Sequence, residues 1–296
     1  MSTNLGLPAP NRHQGLLGMA TDAGLSVVPH RIADRQQRGK LMKIHLAHIR
    51  LIALLVVLGA HEASAEVIRW RVDGQTREAI VYAPTASRGD KGVPLVLSFH
   101  GYGDNAQNFQ HTGVHVAWPD AVVVYFQGLE TRGGLPGWRV EPDNDNRDLK
   151  LVDVALASLQ ERYNIDDARI YATGFSNGGM FTYLLWAERP DVFAAYAPVA
   201  ARLRPLVQPK QPRPLFHVAG ERDGVVRYAD QEAAIAVAIT VNGVGNTTTR
   251  CGDGCTIYGP DTRAPVMTWI HPGAHTYPRG TTERIVSFFQ GYSGPR

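Results

Sequence analysis

Apolar runs alternate with segments of helical periodicity along this chain, and this alternation limits the folds that it can adopt. The clearest run is Val93–Phe99, which is apolar almost throughout, as expected of a strand buried on both faces. The clearest helix spans 148–163, with Asp148 at the expected N-cap. Its apolar face consists of Leu149, Val152, Leu156, Leu159 and Tyr163. Strands separated by helices predict an α/β fold with a mainly parallel sheet and helices on both faces.

The remaining elements follow the same alternation. Residues 67–71 and 77–82 predict two strands around a tight turn at Asp73-Gly74, which begins the domain. Further strands are expected at 121–126, 169–173, 193–199, 215–219 and 266–270, and further helices at 180–188, 230–239 and 282–290. We see no internal repeat and no low-complexity linker, so residues 66–296 are expected to form one domain.

Residues 42–65 have the organisation of a secretory signal peptide. A basic start with Lys43 and Arg50 precedes the apolar run 51–59, and Ala63-Ser-Ala65 supplies the small residues of a cleavage site. A membrane anchor would need about 20 apolar residues, roughly twice this run. We therefore expect cleavage after Ala65, a secreted or periplasmic mature chain and no membrane anchor. Residues 1–41 show no periodicity, and we expect them to be unstructured or a start-site artefact.

The leader also accounts for the basic character of the chain. The whole sequence carries 30 Lys and Arg against 27 Asp and Glu, and the first 65 residues hold seven and three of these. The mature chain therefore has a formal net charge near −1. No electrostatic footprint for nucleic acid remains.

The two cysteines, Cys251 and Cys255, are separated by Gly-Asp-Gly. An oxidising compartment favours a disulfide that closes this small loop. A zinc site would need two further ligands, and none lies at a recognisable spacing.

Gly174-Phe-Ser176-Asn-Gly178 fits the pattern G-x-S-x-G between an expected strand and an expected helix. In α/β-hydrolases this sharp turn exposes a nucleophilic serine above the sheet. A serine hydroxyl needs a base to remove its proton, and the fold places an acid and then a histidine later in the chain. The motif in this setting predicts an α/β-hydrolase with Ser176 as nucleophile.

The acid and the base are expected in loops after later strands. Asp223 follows the strand 215–219, and Asp-Gly makes a turn that can aim the carboxylate at the site, with Glu221 and Asp230 as alternatives. Among the histidines after Ser176, His275 lies in the loop after the last strand and is preferred over His271, which ends that strand. His217 lies within a strand before the acid, where a structural role is expected.

An oxyanion formed by serine attack needs two backbone N–H donors. Asn177, directly after the serine, is expected to supply one. The loop His100-Gly-Tyr-Gly-Asp104 follows an early strand, so we expect Tyr102 to supply the other, with Gly103 as the alternative.

These residues resemble those of the polyhydroxybutyrate depolymerase and feruloyl esterase group, which includes acetylxylan esterases. The resemblance covers most of residues 66–296. It lies in His100-Gly-Tyr-Gly-Asp-Asn105, Gln127-Gly128, Gly137-Trp138, the helix led by Asp148, Tyr171–Met180 and Gly273-Ala-His275-Thr-Tyr-Pro278. It implies a cofactor-free, two-step hydrolysis of carboxylic esters in which Ser176, Asp223 and His275 act together.

The sequence departs from that group at two places. The acid motif reads Gly220-Glu-Arg-Asp223, where a second small residue is usual in place of Glu221 or Arg222, and Tyr277 stands where tryptophan is frequent. Neither change removes a triad side chain, but Tyr277 bears on the shape of the pocket.

The substrate is the least constrained property. A depolymerase of solid polyester usually gains from an appended surface-binding domain, and we see no linker to one. We therefore prefer feruloyl or acetyl esters of plant polysaccharide fragments as substrates over polyhydroxybutyrate oligomers. Trp138 is expected to line the acyl or sugar pocket, with ordinary packing as the alternative. Asp143–Asp148 lacks the glycine and the third ligand of a calcium loop, so no metal is expected. A non-catalytic binding protein and a serine peptidase are the competing functions.

Overall fold

The computed structural model describes residues 64–84, 92–245 and 247–294. The expected segment 1–41 and most of the expected leader lie outside these residues. Ser64 and Ala65, the last two residues of the expected leader, begin the first strand.

Within the described residues, ten strands form one sheet in the order β1-β2-β4-β3-β7-β8-β9-β12-β11-β10. Along the chain, the first six strands of this sheet are β1 Ser64–Val72, β2 Gln75–Ala83, β3 Val93–Phe99, β4 Val122–Phe126, β7 Ile165–Phe175 and β8 Ala195–Val199. The other four are β9 Leu215–Gly220, β10 Thr248–Gly252, β11 Cys255–Tyr258 and β12 Val266–His271. A separate two-stranded ribbon pairs β5 Leu129–Glu130 with β6 Pro136–Gly137.

Six α-helices connect these strands in the described residues. They are α1 Ala106–Phe109, α2 Val114–Ala117, α3 Arg147–Arg162, α4 Asn177–Glu188, α5 Tyr228–Asn242 and α6 Thr281–Gln290. A 3₁₀ turn, Gln110–Thr112, lies between α1 and α2.

The centre of the sheet is parallel, as the sequence predicts. Strands β4, β3, β7, β8, β9 and β12 pair in parallel, whereas the hairpin β1–β2 and the hairpin β10–β11 add antiparallel edges. The fold is an α/β hydrolase fold. Because parallel strands all end at the same edge, the loops after β3, β7, β9 and β12 can converge on one site.

Alternate residues of the central strands pack against helices on opposite faces. Leu95, Leu97 and Phe99 of β3 belong to the cluster that also contains apolar residues of α3, α4 and α5. Val96, from the same strand, belongs to the cluster with residues of α1, α2 and α6. This arrangement confirms helices on both faces and explains why β3 is apolar almost throughout.

Asp148 is not the N-cap of α3, contrary to the sequence-based expectation. The cap is Asn146, whose side-chain oxygen accepts hydrogen bonds from the backbone N–H groups of Asp148 and Leu149. Asp148 lies in the first turn with its carboxylate fully buried, where it forms a 2.7 Å ion pair with Arg77 of β2. This partner lies 71 residues away along the chain, so local sequence gives no sign of it.

The disulfide between Cys251 and Cys255 is present, as expected. It joins β10 to β11, a hairpin that the sequence analysis did not predict. The side chains of β10 are mostly exposed, so this edge strand lacks the apolar alternation by which strands are recognised.

Candidate active site

Ser176 lies on the tight turn between β7 and α4. Its backbone has φ 54° and ψ −115°, a strained conformation for a residue with a side chain. A Cβ atom at Gly174 would come within 2.4 Å of the Gly178 backbone, and one at Gly178 would come within 2.1 Å of the Phe99 carbonyl oxygen. The two glycines therefore allow the turn to close against the end of β3.

The structure brings Ser176, His275 and Asp223 into one hydrogen-bonded chain. The Oγ of Ser176 is 2.9 Å from Nε2 of His275, and Nδ1 of His275 is 2.7 Å from Oδ2 of Asp223. His275 lies in the loop after β12 and Asp223 in the loop after β9. The three side chains come from three different strand ends.

The alternatives that the sequence left open take other positions. Asp230 forms an exposed ion pair with Arg227, and Glu221 is exposed. His271 accepts the backbone N–H of Gly273 through Nδ1, and its pKa is lowered because the ring is desolvated. None of these side chains has a contact with Ser176 in the described part of the chain.

The Asp223 carboxylate is fully buried and accepts four hydrogen bonds. Oδ1 accepts from the backbone N–H groups of Val225 and Val226 at 2.9 and 2.8 Å. Oδ2 accepts from Nδ1 of His275 and, at 3.0 Å, from Nε2 of Gln231. These bonds compensate for the loss of water around the charge and fix the direction of the carboxylate.

The loop after β3 is held by its own hydrogen bonds. The N–H of Gly103 donates to the Pro136 carbonyl at 2.8 Å, so it is not available to an oxyanion. The N–H groups of Tyr102 and Asn177 have no acceptor among the described residues. Of the two residues considered in this loop, Tyr102 therefore has the free donor.

His100 fixes the start of the same loop, a role that the sequence analysis did not assign. Its Nε2 accepts the N–H of Gly128 at 2.9 Å, so Nδ1 carries the proton and donates to the Gly101 carbonyl at 2.7 Å. The ring is buried, and desolvation lowers its pKa. A neutral His100 thus joins the loop after β3 to the segment after β4.

The ring of Trp138 packs into the core, and the residue is also one of those that line a cleft. The side chain is only 2% exposed, its Nε1 donates to the His100 carbonyl at 2.8 Å, and its ring packs against Phe99 and Phe181. The ring therefore has a packing role, and the expected contribution of Trp138 to substrate binding stays a prediction. The backbone N–H of Trp138 donates to Oδ1 of Asn177 at 2.7 Å, which ties this segment to the residue after Ser176.

Tyr277 is partly buried, and its hydroxyl lies 3.1 Å from Oγ1 of Thr282. Its ring packs edge-on against Phe175, which in turn packs against the imidazole of His275. Through Phe175, Tyr277 thus helps to hold the imidazole of His275 in place.

A cleft of about 720 Å³ is lined by Trp138 and its neighbours, and none of the three triad residues is among its lining residues. Its walls combine cationic donors with anionic acceptors. The charged side chains that line it are Glu130, Arg132, Arg139, Glu141, Asp143, Arg147 and Arg204.

The polar segment before α3 uses its carboxylates and amides internally. Asn146 caps the helix, Asp148 pairs with Arg77, and Asp145 pairs with Lys150. In the ranges that the structure describes, no cluster of three or more metal-ligating side chains occurs. No helix there is long and apolar enough to cross a membrane.

Comparisons with known proteins show similarity to carboxylic esterases. The model of the prolyl oligopeptidase family matches residues 137–208, a segment that contains Ser176 but neither Asp223 nor His275. The chain is 34% identical over 169 residues to a bifunctional acetylxylan esterase/xylanase of Neocallimastix patriciarum, covering 55% of this chain and 24% of that protein. It is 29% identical over 162 residues to feruloyl esterase B of Piromyces equi, covering 51% of this chain and 30% of that protein. The resemblance to this esterase group, expected from the motifs, is confirmed, and the chain spans less than a third of the length of either relative.

Among solved structures, the acetyl xylan esterase from Aspergillus awamori superposes with a TM-score of 0.59 at 13% identity. The match covers 76% of this chain and 99% of that one. At this identity the likeness is one of fold, and it confirms the α/β-hydrolase architecture expected from the sequence.

Proposed function

We propose that this chain is an exported serine hydrolase of carboxylic esters that removes feruloyl or acetyl groups from plant polysaccharide fragments. The observation that carries the proposal is the hydrogen-bonded chain from Ser176 through His275 to the buried Asp223. A non-catalytic binding protein would have no use for a nucleophile, a base and an acid held in this order.

The geometry supports a two-step acyl transfer. Oγ of Ser176 attacks the ester carbonyl carbon while Nε2 of His275 takes the hydroxyl proton, and Asp223 holds the resulting imidazolium through Nδ1–H. The N–H groups of Tyr102 and Asn177 bind the oxyanion. The imidazolium then returns its proton to the leaving alcohol, and water hydrolyses the acyl-enzyme by the same sequence with His275 as base.

The exposed side chain of Tyr102 favours a substrate with a large, aromatic acyl group. It is 47% exposed, and its ring lies against Gly133 and Gly137, since a Cβ atom at either glycine would fall within 3.3 Å of the phenol. The exposed face of the ring is therefore available beside its own oxyanion N–H. An aromatic acid can stack on such a face, with a gain of about 1 kcal/mol.

The polar cleft favours an ester whose leaving alcohol is rich in hydroxyl groups. Sugar hydroxyls both donate and accept, and the cleft offers guanidinium donors beside carboxylate acceptors. A polyester oligomer has no hydroxyl groups along its chain that could form these hydrogen bonds.

Export is supported by the disulfide between Cys251 and Cys255, since this bond persists in oxidising compartments. The expected cleavage after Ala65 is tested by sequencing the N-terminus of the exported protein. A first residue well away from Glu66 would contradict it.

The substrate assignment is tested by kinetics on methyl ferulate, acetylated xylo-oligomers and 3-hydroxybutyrate oligomers. We expect Tyr102→Ala to lower kcat/KM for methyl ferulate by about fivefold, equivalent to about 1 kcal/mol, with a smaller loss for acetyl esters. Val116→Ala, which truncates an even more exposed apolar side chain on α2, serves as the control. A kcat/KM at least tenfold higher for the hydroxybutyrate oligomers would favour the polyester alternative.

A serine peptidase is the second candidate, because the family model that matches residues 137–208 is that of the prolyl oligopeptidases. Cleavage of casein without hydrolysis of any of the three esters would establish that alternative.

A further inference from the structure

We propose that Gln231, His217 and Tyr183 form a buried chain of positioning residues that orients Asp223, and through it the base His275. The proposal rests on the proposed function, since it concerns the same triad. It adds three side chains that neither touch the substrate nor take part in proton transfer.

The contact with the triad is made by Gln231, in the first turns of α5. Its side chain is fully buried, and Nε2 donates to Oδ2 of Asp223 at 3.0 Å and to the Val226 carbonyl at 2.7 Å. Oδ2 is the same oxygen that accepts from His275. Gln231 therefore helps to determine where the lone pairs of that oxygen point, which sets the plane of the imidazole.

The chain continues through His217 of β9 to Tyr183 of α4. Nε2 of His217 is 3.3 Å from Oε1 of Gln231, and Nδ1 is 2.8 Å from the Tyr183 hydroxyl. The side chains of Gln231 and His217 are fully buried, and that of Tyr183 is 1% exposed. Water is therefore not available to replace any of these bonds.

The direction of every bond follows from the two acceptors at Nε2 of Gln231. A flipped amide would place Oε1 against the Asp223 carboxylate and the Val226 carbonyl, both of which can only accept. With the amide fixed, Oε1 must accept, so Nε2 of His217 carries the proton. Nδ1 is then an acceptor, and the Tyr183 hydroxyl donates to it.

Burial keeps His217 in this neutral form. Desolvation lowers its pKa to about 4. The ring can therefore hold a single tautomer at neutral pH, and the chain has one pattern of donors and acceptors instead of several.

The hydrogen-bonded chain of these three side chains links two elements of the site. Tyr183 lies on α4, the helix that begins directly after Ser176, and His217 lies on the strand that leads into the Asp223 loop. The chain thus connects the element that carries the nucleophile with the loop that carries the acid. Apolar side chains could fill the same volume without three buried polar groups, which favours a role in positioning over one in packing alone.

The test is a double-mutant cycle between Gln231→Met and Asp223→Asn, with kcat and KM measured on methyl ferulate. Methionine matches glutamine in length but removes the donor. We expect Gln231→Met to lower kcat by about 10- to 100-fold with little change in KM, because the base is misaligned while the substrate pocket is intact. In the Asp223→Asn background the same change should lower kcat less than about threefold, since the residue it acts through is already impaired.

Gln110→Met is the matched control, because Gln110 is another buried glutamine that donates and accepts through its amide. It should leave kcat within about twofold of the native value. Tyr183→Phe, which removes only the terminal hydroxyl, provides a variant with minimal change in packing and should lower kcat by less than Gln231→Met does. Thermal unfolding of each variant confirms that it is folded at the assay temperature.

A kcat for Gln231→Met and Tyr183→Phe equal to the native value would overturn the proposal, as would full additivity with Asp223→Asn. In either case an active native enzyme and an inactive Ser176→Ala variant would leave the esterase function standing. A native protein that hydrolyses none of the esters would overturn both.

Discussion

The buried ion pair between Arg77 and Asp148 gives a quantitative test of how the site is supported. The two side chains are 1% and 0% exposed, with 2.7 Å between Nη2 and Oδ1. Oδ2 of Asp148 accepts the backbone N–H of Arg139, next to Trp138, so the pair anchors the segment that contacts Asn177. Arg77→Met removes the close cation and leaves a buried carboxylate with this one hydrogen bond and a guanidinium of Arg147 at 3.8 Å.

Removing one partner of a buried pair costs about 3–5 kcal/mol. The remaining hydrogen bond to Arg139 places the expected loss at the lower end, about 3 kcal/mol. For a domain of this size, that loss lowers Tm by roughly 6–12 °C. Adding Asp148→Asn should recover at least about 1 kcal/mol, because the amide still accepts from Arg139 and carries no charge.

Urea unfolding followed by circular dichroism measures both variants against Arg189→Met. That control breaks a bidentate but partly exposed pair with Asp153, and it should cost less than about 1 kcal/mol. An Arg77→Met protein as stable as the control would refute the reasoning. So would a double variant less stable than Arg77→Met alone.

Two further predictions concern the turn and the acid stability of the fold. Gly178→Ala should lower kcat/KM and the free energy of unfolding together, because its Cβ would lie 2.1 Å from the rigid backbone oxygen of Phe99; native-like activity and stability would show that the turn is less closely packed than described. Because the pKa of His217 is about 4 in the fold and near 6.5 when unfolded, the unfolded state binds more protons between these values. Its contribution to stability should therefore fall by about 3 kcal/mol as the pH drops from 6.5 to 4. Tm measured against pH should show a smaller slope in His217→Asn than in the native protein, and equal slopes would contradict the prediction.

The central strands could be predicted from sequence because burial on both faces leaves a continuous apolar run. The strand Val93–Phe99 was predicted with both ends correct. The parallel direction of the central strands followed from the helices between them. The same topology narrowed the triad to Asp223 and His275, since acid and base must lie beyond later strand ends. The structure brings both side chains into one hydrogen-bonded chain with Ser176.

The features that could not be predicted from the sequence depend on contacts between residues distant along the chain. The ion pair of Asp148 with Arg77 replaces the cap that local pattern suggested, and Asn146 takes the capping position. The burial of Trp138 depends on Phe99 and Phe181, which reach it only in the folded sheet. Gln231 carries no motif, and its role is visible only from the two acceptors on its amide.

The central claim, that His275 and Asp223 activate Ser176, is tested most directly by labelling with an organophosphonate. Oγ of an activated serine displaces the leaving group from phosphorus, so intact-mass measurement and peptide mapping report the reaction without a substrate assay. We expect one adduct per folded chain, located on Ser176, with labelling abolished in Ser176→Ala and strongly slowed in His275→Ala. A folded native protein that gains no adduct, or gains it on another residue, would contradict the account.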